Sequence, residues 1–126
     1  MSVHKPNVSF DKAYALALEV FKTCKQLRKD GENILSKQLL RSGTSIGANL
    51  AEAHASISDA DLAAKISIAY KECHETRYWL SLLRDSKELS ATRATELIAK
   101  TDDICRILFA SMRTLRRRRD ATSLNE

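Results

Sequence analysis

Proline is almost missing from this chain. Pro6 stands alone near the N-terminus, so no later helix is broken by a ring that removes an amide donor. Glycine occurs three times and aromatic residues make up 6% of the 126 positions, a poverty that argues against an all-β fold with its many tight turns. Hairpin dipeptides such as Asn-Gly are absent, as is the period-two alternation of a strand. No apolar run reaches the 18 residues needed to cross a bilayer, and the opening MSVHKPNVSF lacks the apolar centre of a signal peptide. A cytoplasmic protein with no membrane contact is the expectation. Cys24, Cys73 and Cys105 are odd in number, far apart and on apolar helical positions, which predicts buried thiols in a reducing compartment rather than disulfides.

Catalytic and cofactor signatures are also lacking. A carboxylate-bridged dimetal centre in a helix bundle needs Glu-x-x-His pairs on two helices, and none is present. Glu72-Cys73-His74-Glu75 splays its groups around a helix, and neither His54 nor His74 belongs to a pair with zinc or haem spacing. Nucleophile elbows, phosphate loops and nucleotide fingerprints are missing too. The expectation is a protein that is not an enzyme and holds no cofactor or metal.

What the chain does have is helical period. The length suits one domain, residues 1–126, and 44% hydrophobic with 29% charged residues suits a helix-rich one. Four segments are predicted, at about 9–29, 35–56, 59–86 and 91–118, followed by a flexible tail over 120–126. Segment one starts at Ser9 as N-cap, shows Phe10, Tyr14, Ala17, Phe21 and Cys24 as its main stripe, and ends at Asp30-Gly31. Segment two is capped by Asn33 or Ser36 and carries Leu39, Gly43, Ile46, Leu50, Ala53 and Ile57. Segment three opens with Ser58, three residues before Asp61 as in a capping box, and carries Leu62, Ile66, Ala69, Cys73, Thr76, Leu80 and Leu83. Segment four shows Leu97, Thr101, Ile104, Leu108, Ser111 and Leu115. A 3.5-residue spacing with short connections predicts an all-α, up-down-up-down antiparallel four-helix bundle. Leu16, Val20 and Leu27 in segment one, and Ile68, Trp79 and Leu82 in segment three, lie outside the main stripes. A helix that is apolar on two faces is covered on two faces, so self-association is expected.

Three polar features remain. Arg41 to Ala53, RSGTSIGANLAEA, places Gly43 and Gly47 inside a helix, where each costs about 1 kcal/mol against Ala. Their spacing of four clears one face for a close neighbour, for which Trp79, Tyr70 or Tyr78 are the bulky candidates. Beside them run Ser42, Ser45, Asn49 and Glu52, while Glu72 and Glu75 fall between Ile68 and Trp79. Carboxylates on an apolar stripe need partners, which Arg41, Ser45, Asn49 or Lys71 can supply. The set Arg41, Ser45, Asn49, Glu52, Glu72 and Glu75 therefore reads as a structural polar seam, with a small-molecule binding or catalytic site as the alternative. The third feature is Arg113, Arg116, Arg117, Arg118 and Arg119, set against only Asp120 and Glu126, so the last 14 residues hold +3 of the net +5. Basic character is thus expected at the C-terminus, more than a helix dipole needs, and suited to non-specific contact with the phosphates of RNA or DNA.

The run from Gln38 to Ala53, followed by Asp61-Leu62-Ala63-Ala64-Lys65-Ile66-Ser67-Ile68-Ala69-Tyr70-Lys71-Glu72 and Glu75-Thr76-Arg77-Tyr78-Trp79-Leu80, resembles a bacterial four-helix-bundle family. That family comprises the proteins encoded in intervening sequences of 23S ribosomal RNA. The likeness is strong in segments two and three and looser over the whole length. It implies a cytoplasmic, ring-shaped homopentamer without established enzymatic activity. It also implies kinship in fold with the accessory variability protein of diversity-generating retroelements, which binds a reverse transcriptase and nucleic acid through a basic surface. Glu52-Ala53 departs from the Glu-Gly of many members, a difference of packing rather than chemistry. The function expected is a non-enzymatic oligomeric scaffold that contacts nucleic acid or a nucleoprotein.

Overall fold

The computed structural model describes residues 7–124, a range that leaves out Pro6 and the last two positions of the expected tail. Four helices occupy it: α1 (Asn7–Lys29), α2 (Leu35–Ala53), α3 (Asp59–Asp85) and α4 (Ala91–Leu124). Each helix touches its two neighbours in the cycle α1, α2, α3, α4, so α1 and α3 stand on one diagonal and α2 and α4 on the other. Contacts run in opposite senses along every touching pair. On α1 and α2, Cys24 meets Ser36 and Phe10 meets His54; on α2 and α3, Ser42 meets Thr76 and Glu52 meets Lys65. On α3 and α4, Arg77 meets Asp102 and Asp59 meets Arg118; on α1 and α4, Lys12 meets Asp103 and Glu19 meets Arg93. Neighbouring helices are therefore antiparallel.

The stripes of α2, α3 and α4 form the core as their spacing predicts. Leu39, Ile46 and Leu50 meet Leu62, Ile66, Leu80 and Leu83, with Leu97, Ile104, Leu108 and Leu115 closing the other side. Two expectations fail at their edges, since Ile57 lies beyond α2 and is exposed, and Ser111 is only half-buried. The buried face of α1 is turned away from the one expected, keeping Cys24 and part of Phe10 but not Tyr14 or Phe21. Ala13, Leu16, Val20, Cys24 and Leu27 are buried, whereas Tyr14 is 59% and Phe21 49% exposed. The reason lies on α2. A Cβ added to Gly47 would sit 3.7 Å from Ala13, and one added to Gly43 would sit 2.8 Å from a Val20 methyl. Two glycines so close to α1 accept small side chains and leave no depth for aromatic rings, which turns Tyr14 and Phe21 outwards. The glycines' neighbours are thus Val20 and Ala13, not Trp79, Tyr70 or Tyr78.

Helix ends explain the short loops. At the end of α1, Gly31 has φ +95°, the Gly31 amide donates to the Arg28 carbonyl at 3.1 Å and the Glu32 amide to the Leu27 carbonyl at 2.8 Å. That is a Schellman stop. Neither Asn33 nor Ser36 caps α2; the Glu32 carboxylate accepts from the amides of Leu35 (3.1 Å) and Ser36 (2.7 Å), and Ser36 is buried inside the helix. A carboxylate takes the role because it supplies two acceptors and a negative charge to the positive end of the helix. Ser9 is likewise no cap, since α1 has already begun at Asn7 and Ser9 is buried within its first turn. The Ser58 cap is present: its hydroxyl accepts from the Asp61 amide at 3.0 Å. Finally, α4 does not stop at 118 but continues through residues 119–124, where a tail was expected. Those residues hold no proline or glycine to halt it.

The turn after α3 repeats the Schellman pattern, with Lys87 donating to Arg84 and Glu88 to Leu83, but its left-handed position (φ 66°) is filled by Lys87. A Cβ there costs about 1 kcal/mol that glycine avoids. Lys87→Gly is expected to raise stability by roughly that amount, less the extra entropy of the unfolded glycine. Thermal unfolding of the two chains checks it, and a lower melting temperature for the variant would count against this account of the turn.

Candidate nucleic-acid interface

The arginine cluster lies on the last three turns of α4. Its members differ in what they touch. Arg118 reaches back to Asp59 at the start of α3, 3.3 Å away. The Arg113 guanidinium lies 6.0 Å from the centre of the Phe109 ring, within cation–π range. Arg116, Arg117 and Arg119 are exposed and have no carboxylate partner among the described residues. Below them a cavity of about 570 Å³ opens between α4 and the N-terminal turns of α3, lined by Asp59, Ala60, Ala63, Ala64, Leu115, Arg118 and Arg119 among others.

Several other cations are held by carboxylates instead. Elsewhere on the bundle Lys12 pairs with Asp103 at 2.6 Å, Lys100 with Glu19 at 2.6 Å, Arg93 with Glu19 at 3.2 Å, Lys65 with Glu52 at 2.5 Å, and Arg77 with Asp102. Besides the scattered Lys37, Lys71 and Lys87, one cluster of cations also lacks ion pairs among the described residues, and net-charge counting missed it. Lys22, Lys25, Arg28 and Lys29 gather at the C-terminal end of α1 around a second open cavity of about 680 Å³, with Gln26 and Asn33. Basic character is therefore not confined to the C-terminus: residues 22–29 carry four positives and no carboxylate, an excess that acids elsewhere cancel in the total. Because α1 and α4 run oppositely, the two basic patches occupy opposite ends of the bundle.

The seam between α2 and α3 is also built largely as its residue types demand. Arg41 bonds both Glu72, at 3.1 and 3.3 Å, and Glu75; the Ser45 hydroxyl donates to Glu72 at 3.2 Å, and the Asn49 amide donates to the Ser45 hydroxyl at 3.1 Å and carbonyl at 2.9 Å. Glu52 stands apart on Lys65, and Lys71 is exposed outside the network. The Trp79 indole, expected as apolar surface or as the glycines' neighbour, donates to Glu75 at 3.0 Å. Beneath this network Thr76 donates to Ser42 at 3.0 Å, a hydroxyl pair buried across the same two helices. Donors and acceptors are spent on one another, an arrangement that locks the register of α2 against α3.

The Trp79 hydrogen bond, followed by Arg41, holds the Glu75 carboxyl below its ordinary value of 4.5, and hydrogen bonds from Lys100 and Arg93 do the same for Glu19 against some opposition from burial. A depressed folded pKa means that the stabilisation is complete above the unfolded value and disappears as the pH falls through the folded one. Stability is therefore expected to decline below about pH 4.5 as both pairs protonate. In Trp79→Phe the Glu75 titration should move up towards 4.5, which carboxyl NMR reads directly; an unmoved titration would assign the shift to Arg41 instead.

Cysteine chemistry is subdued. Burial pushes the Cys24 thiol up to about 11 and the Cys73 thiol higher still, so both stay protonated at neutral pH. Cys105, expected to be buried, is only half-buried, at the edge of the core, with His74 Nε2 3.5 Å from its sulfur. Burial raises its pKa as well. Among the described residues no group of three or more His, Cys, Asp or Glu side chains could hold a metal ion, and no helix is long and apolar enough to cross a membrane.

A basic-ended, all-α four-helix protein is the class that fold and surface define. The chain matches the family model described as 23S rRNA-intervening sequence protein over residues 6–110, and it belongs to that family. It is similar to a crystal structure from Bacteroides thetaiotaomicron, described as a protein with unknown function from the S23 ribosomal protein family. The two are 37% identical with a TM-score of 0.84, over 86% of this chain and 98% of the other. No match was found among curated proteins.

Proposed function

We propose that this protein is a non-enzymatic, self-associating helical scaffold that binds nucleic acid through the arginine face at the end of α4. One observation carries the reading: Arg116, Arg117 and Arg119 project from a helix end and form no ion pair among the described residues, whereas Arg41, Arg77, Arg84, Arg93, Arg106 and Arg118 are each held by a carboxylate. Unpaired guanidiniums cost nothing to redirect to phosphates, whereas paired ones must first be released. No element of the face is shaped to read base edges in a groove, so binding should be insensitive to sequence. The family is described by an rRNA intervening sequence, which makes RNA the first nucleic acid to try.

Self-association draws support from two exposed apolar stripes. One on α1 holds Tyr14, Leu18 and Phe21; the other, on α3, holds Ile68, Tyr78 and Leu82. They lie on helices that do not touch. Two unlike patches favour a head-to-tail contact, the kind that closes into a ring, and the homopentamer implied by the family is the ring we propose. Such a ring would gather the arginines of all copies at one end.

Light scattering and a salt titration test the two halves separately. We expect a particle five times the 14.1 kDa of one chain, and affinity for generic RNA and DNA that falls linearly on a log–log plot against salt. A stable monomer would remove the ring, and no detectable binding at low salt would remove the nucleic acid.

A further inference from the structure

On the same helix, one to two turns before the arginine cluster, the seam between α3 and α4 carries a small aromatic site with cations on both sides. The Phe109 ring is 48% exposed, and the Tyr70 ring of α3 lies 6.0 Å from it at an interplanar angle of 35°. His74 meets Tyr70 edge-on at 4.8 Å and so restrains that ring. In front of the pair is a shallow cavity of about 340 Å³, lined by Tyr70, Asp102, Cys105, Arg106 and Phe109. That volume is at the lower end of the range for small-ligand sites, enough for a planar ring rather than a large molecule.

The charges around the cavity favour an anion with a flat face. Arg106 and Arg113 flank Phe109 at positions three before and four after it, so all three share one face of α4, and Arg116 and Arg117 continue that face. From Arg106 to Arg117 the face runs about 17 Å, several phosphate spacings of an extended strand. Asp102 is already engaged by Arg77, and Asp103 by Lys12 at 2.6 Å, so the nearby carboxylates are largely neutralised. Arg106 touches Asp103 only at 3.5 Å and is 72% exposed, which leaves it able to turn to a phosphate.

We infer that Tyr70 and Phe109 form a base-stacking platform and that the strand held by the α4 arginines is single-stranded RNA where it crosses them. An exposed ring with cations on both sides, backed by a half-buried second ring, suits an unpaired strand, whose backbone follows the charges while a base stacks on the aromatics. A duplex keeps its bases inside and can use only the arginines, whereas RNA presents unpaired bases in loops and ends. This inference rests on the reading of the arginine face given above.

The test is fluorescence anisotropy with a single-stranded RNA of about twelve nucleotides, its duplex, and an abasic strand of equal charge, using the full chain and the variants Phe109→Ala and Phe109→Leu. Both variants are expected to lose about ten-fold in affinity for the single strand, to bind the duplex as before, and to keep the same salt slope. The abasic strand should bind the unchanged protein and both variants equally, and 2-aminopurine in the strand should be quenched only when Phe109 is present. Unchanged duplex binding also shows that the variants are folded. Single-strand affinity that survives Phe109→Ala, or a loss equal on strand and duplex, would overturn the platform while leaving the arginine face intact. Failure of the unchanged protein to bind either form would overturn the arginine face, and the platform with it.

Discussion

Gly43→Ala is expected to destabilise the protein by about 1 kcal/mol or more, and Gly47→Ala, one helical turn away, to stabilise it by about 0.5–1 kcal/mol. Both changes gain the same helix propensity. They differ in what the new methyl meets. At Gly47 the nearest atoms are those of Ala13 at 3.7 Å, an ordinary contact that buries a little apolar area. At Gly43 the two Val20 methyls are 2.8 and 3.1 Å away and its Cβ 3.3 Å, so no single rotation of that side chain clears the space. Val20 is itself fully buried, and α1 must move away from α2 to make room. Overpacking of this kind costs about 1–3 kcal/mol, which exceeds the propensity gain. A calorimetric comparison should separate the two variants by several degrees in Tm. Trimming the clash with Val20→Ala should make the pair non-additive, with the double variant more stable than the sum of its parts predicts. Equal Tm values for Gly43→Ala and Gly47→Ala would show that the α1–α2 seam is looser than described.

Replacing Arg116, Arg117 and Arg119 together by Gln is expected to lower affinity for duplex nucleic acid about several-hundred-fold at about 0.1 M salt. The estimate follows from counterion release. Each phosphate contact contributes about 0.9 to the slope of log K against log salt, so three lost contacts flatten it by about 2.7 and lower K at about 0.1 M by a similar number of decades. Arg118→Gln is the internal control. Arg118 is tied to Asp59 and faces α3, so its loss should change the slope little, even though formal charge falls by one there too. The Lys22, Lys25, Arg28 and Lys29 patch at the other end of the bundle is the second comparison. If removing those cations flattened the slope as much as removing the α4 arginines, binding would belong to overall charge rather than to the α4 end. Titrations of all three variants over the same salt range decide between these outcomes.

Much of the architecture was legible because α3 repeats one stripe without interruption. Leu62, Ile66, Ala69, Cys73, Thr76, Leu80 and Leu83 are all buried, as the spacing requires. On α1 the same reasoning was right for Cys24 and in part for Phe10 but wrongly put Tyr14 and Phe21 inside, since they keep the same period as Leu16, Val20 and Leu27 and are larger. Periodicity places a stripe on a helix but does not say which of two stripes turns inwards. The polar seam was legible by residue type, Arg41 with Glu72 and Glu75, yet Glu52 was assigned to it and Trp79 was not. At 1.5 Å of rise per residue, Glu52 lies about two turns beyond Ser45, where the seam meets Glu72, and at that level of the bundle the partner on α3 is Lys65.

From its residues alone, then, the chain determines four antiparallel helices with a continuous core, because apolar period and short connections leave no other economical packing. The glycines, too, announce a close approach in advance. Which helix approaches, and so which aromatics are left outside, is decided only by tertiary packing, which sets Val20 tightly against Gly43 and Ala13 against Gly47. The cations follow the same division. Their number is a property of the sequence, but a charge is most available to a phosphate where folding has left it without an ion pair. That is the case for Arg116, Arg117 and Arg119 and not for Arg118, their immediate neighbour.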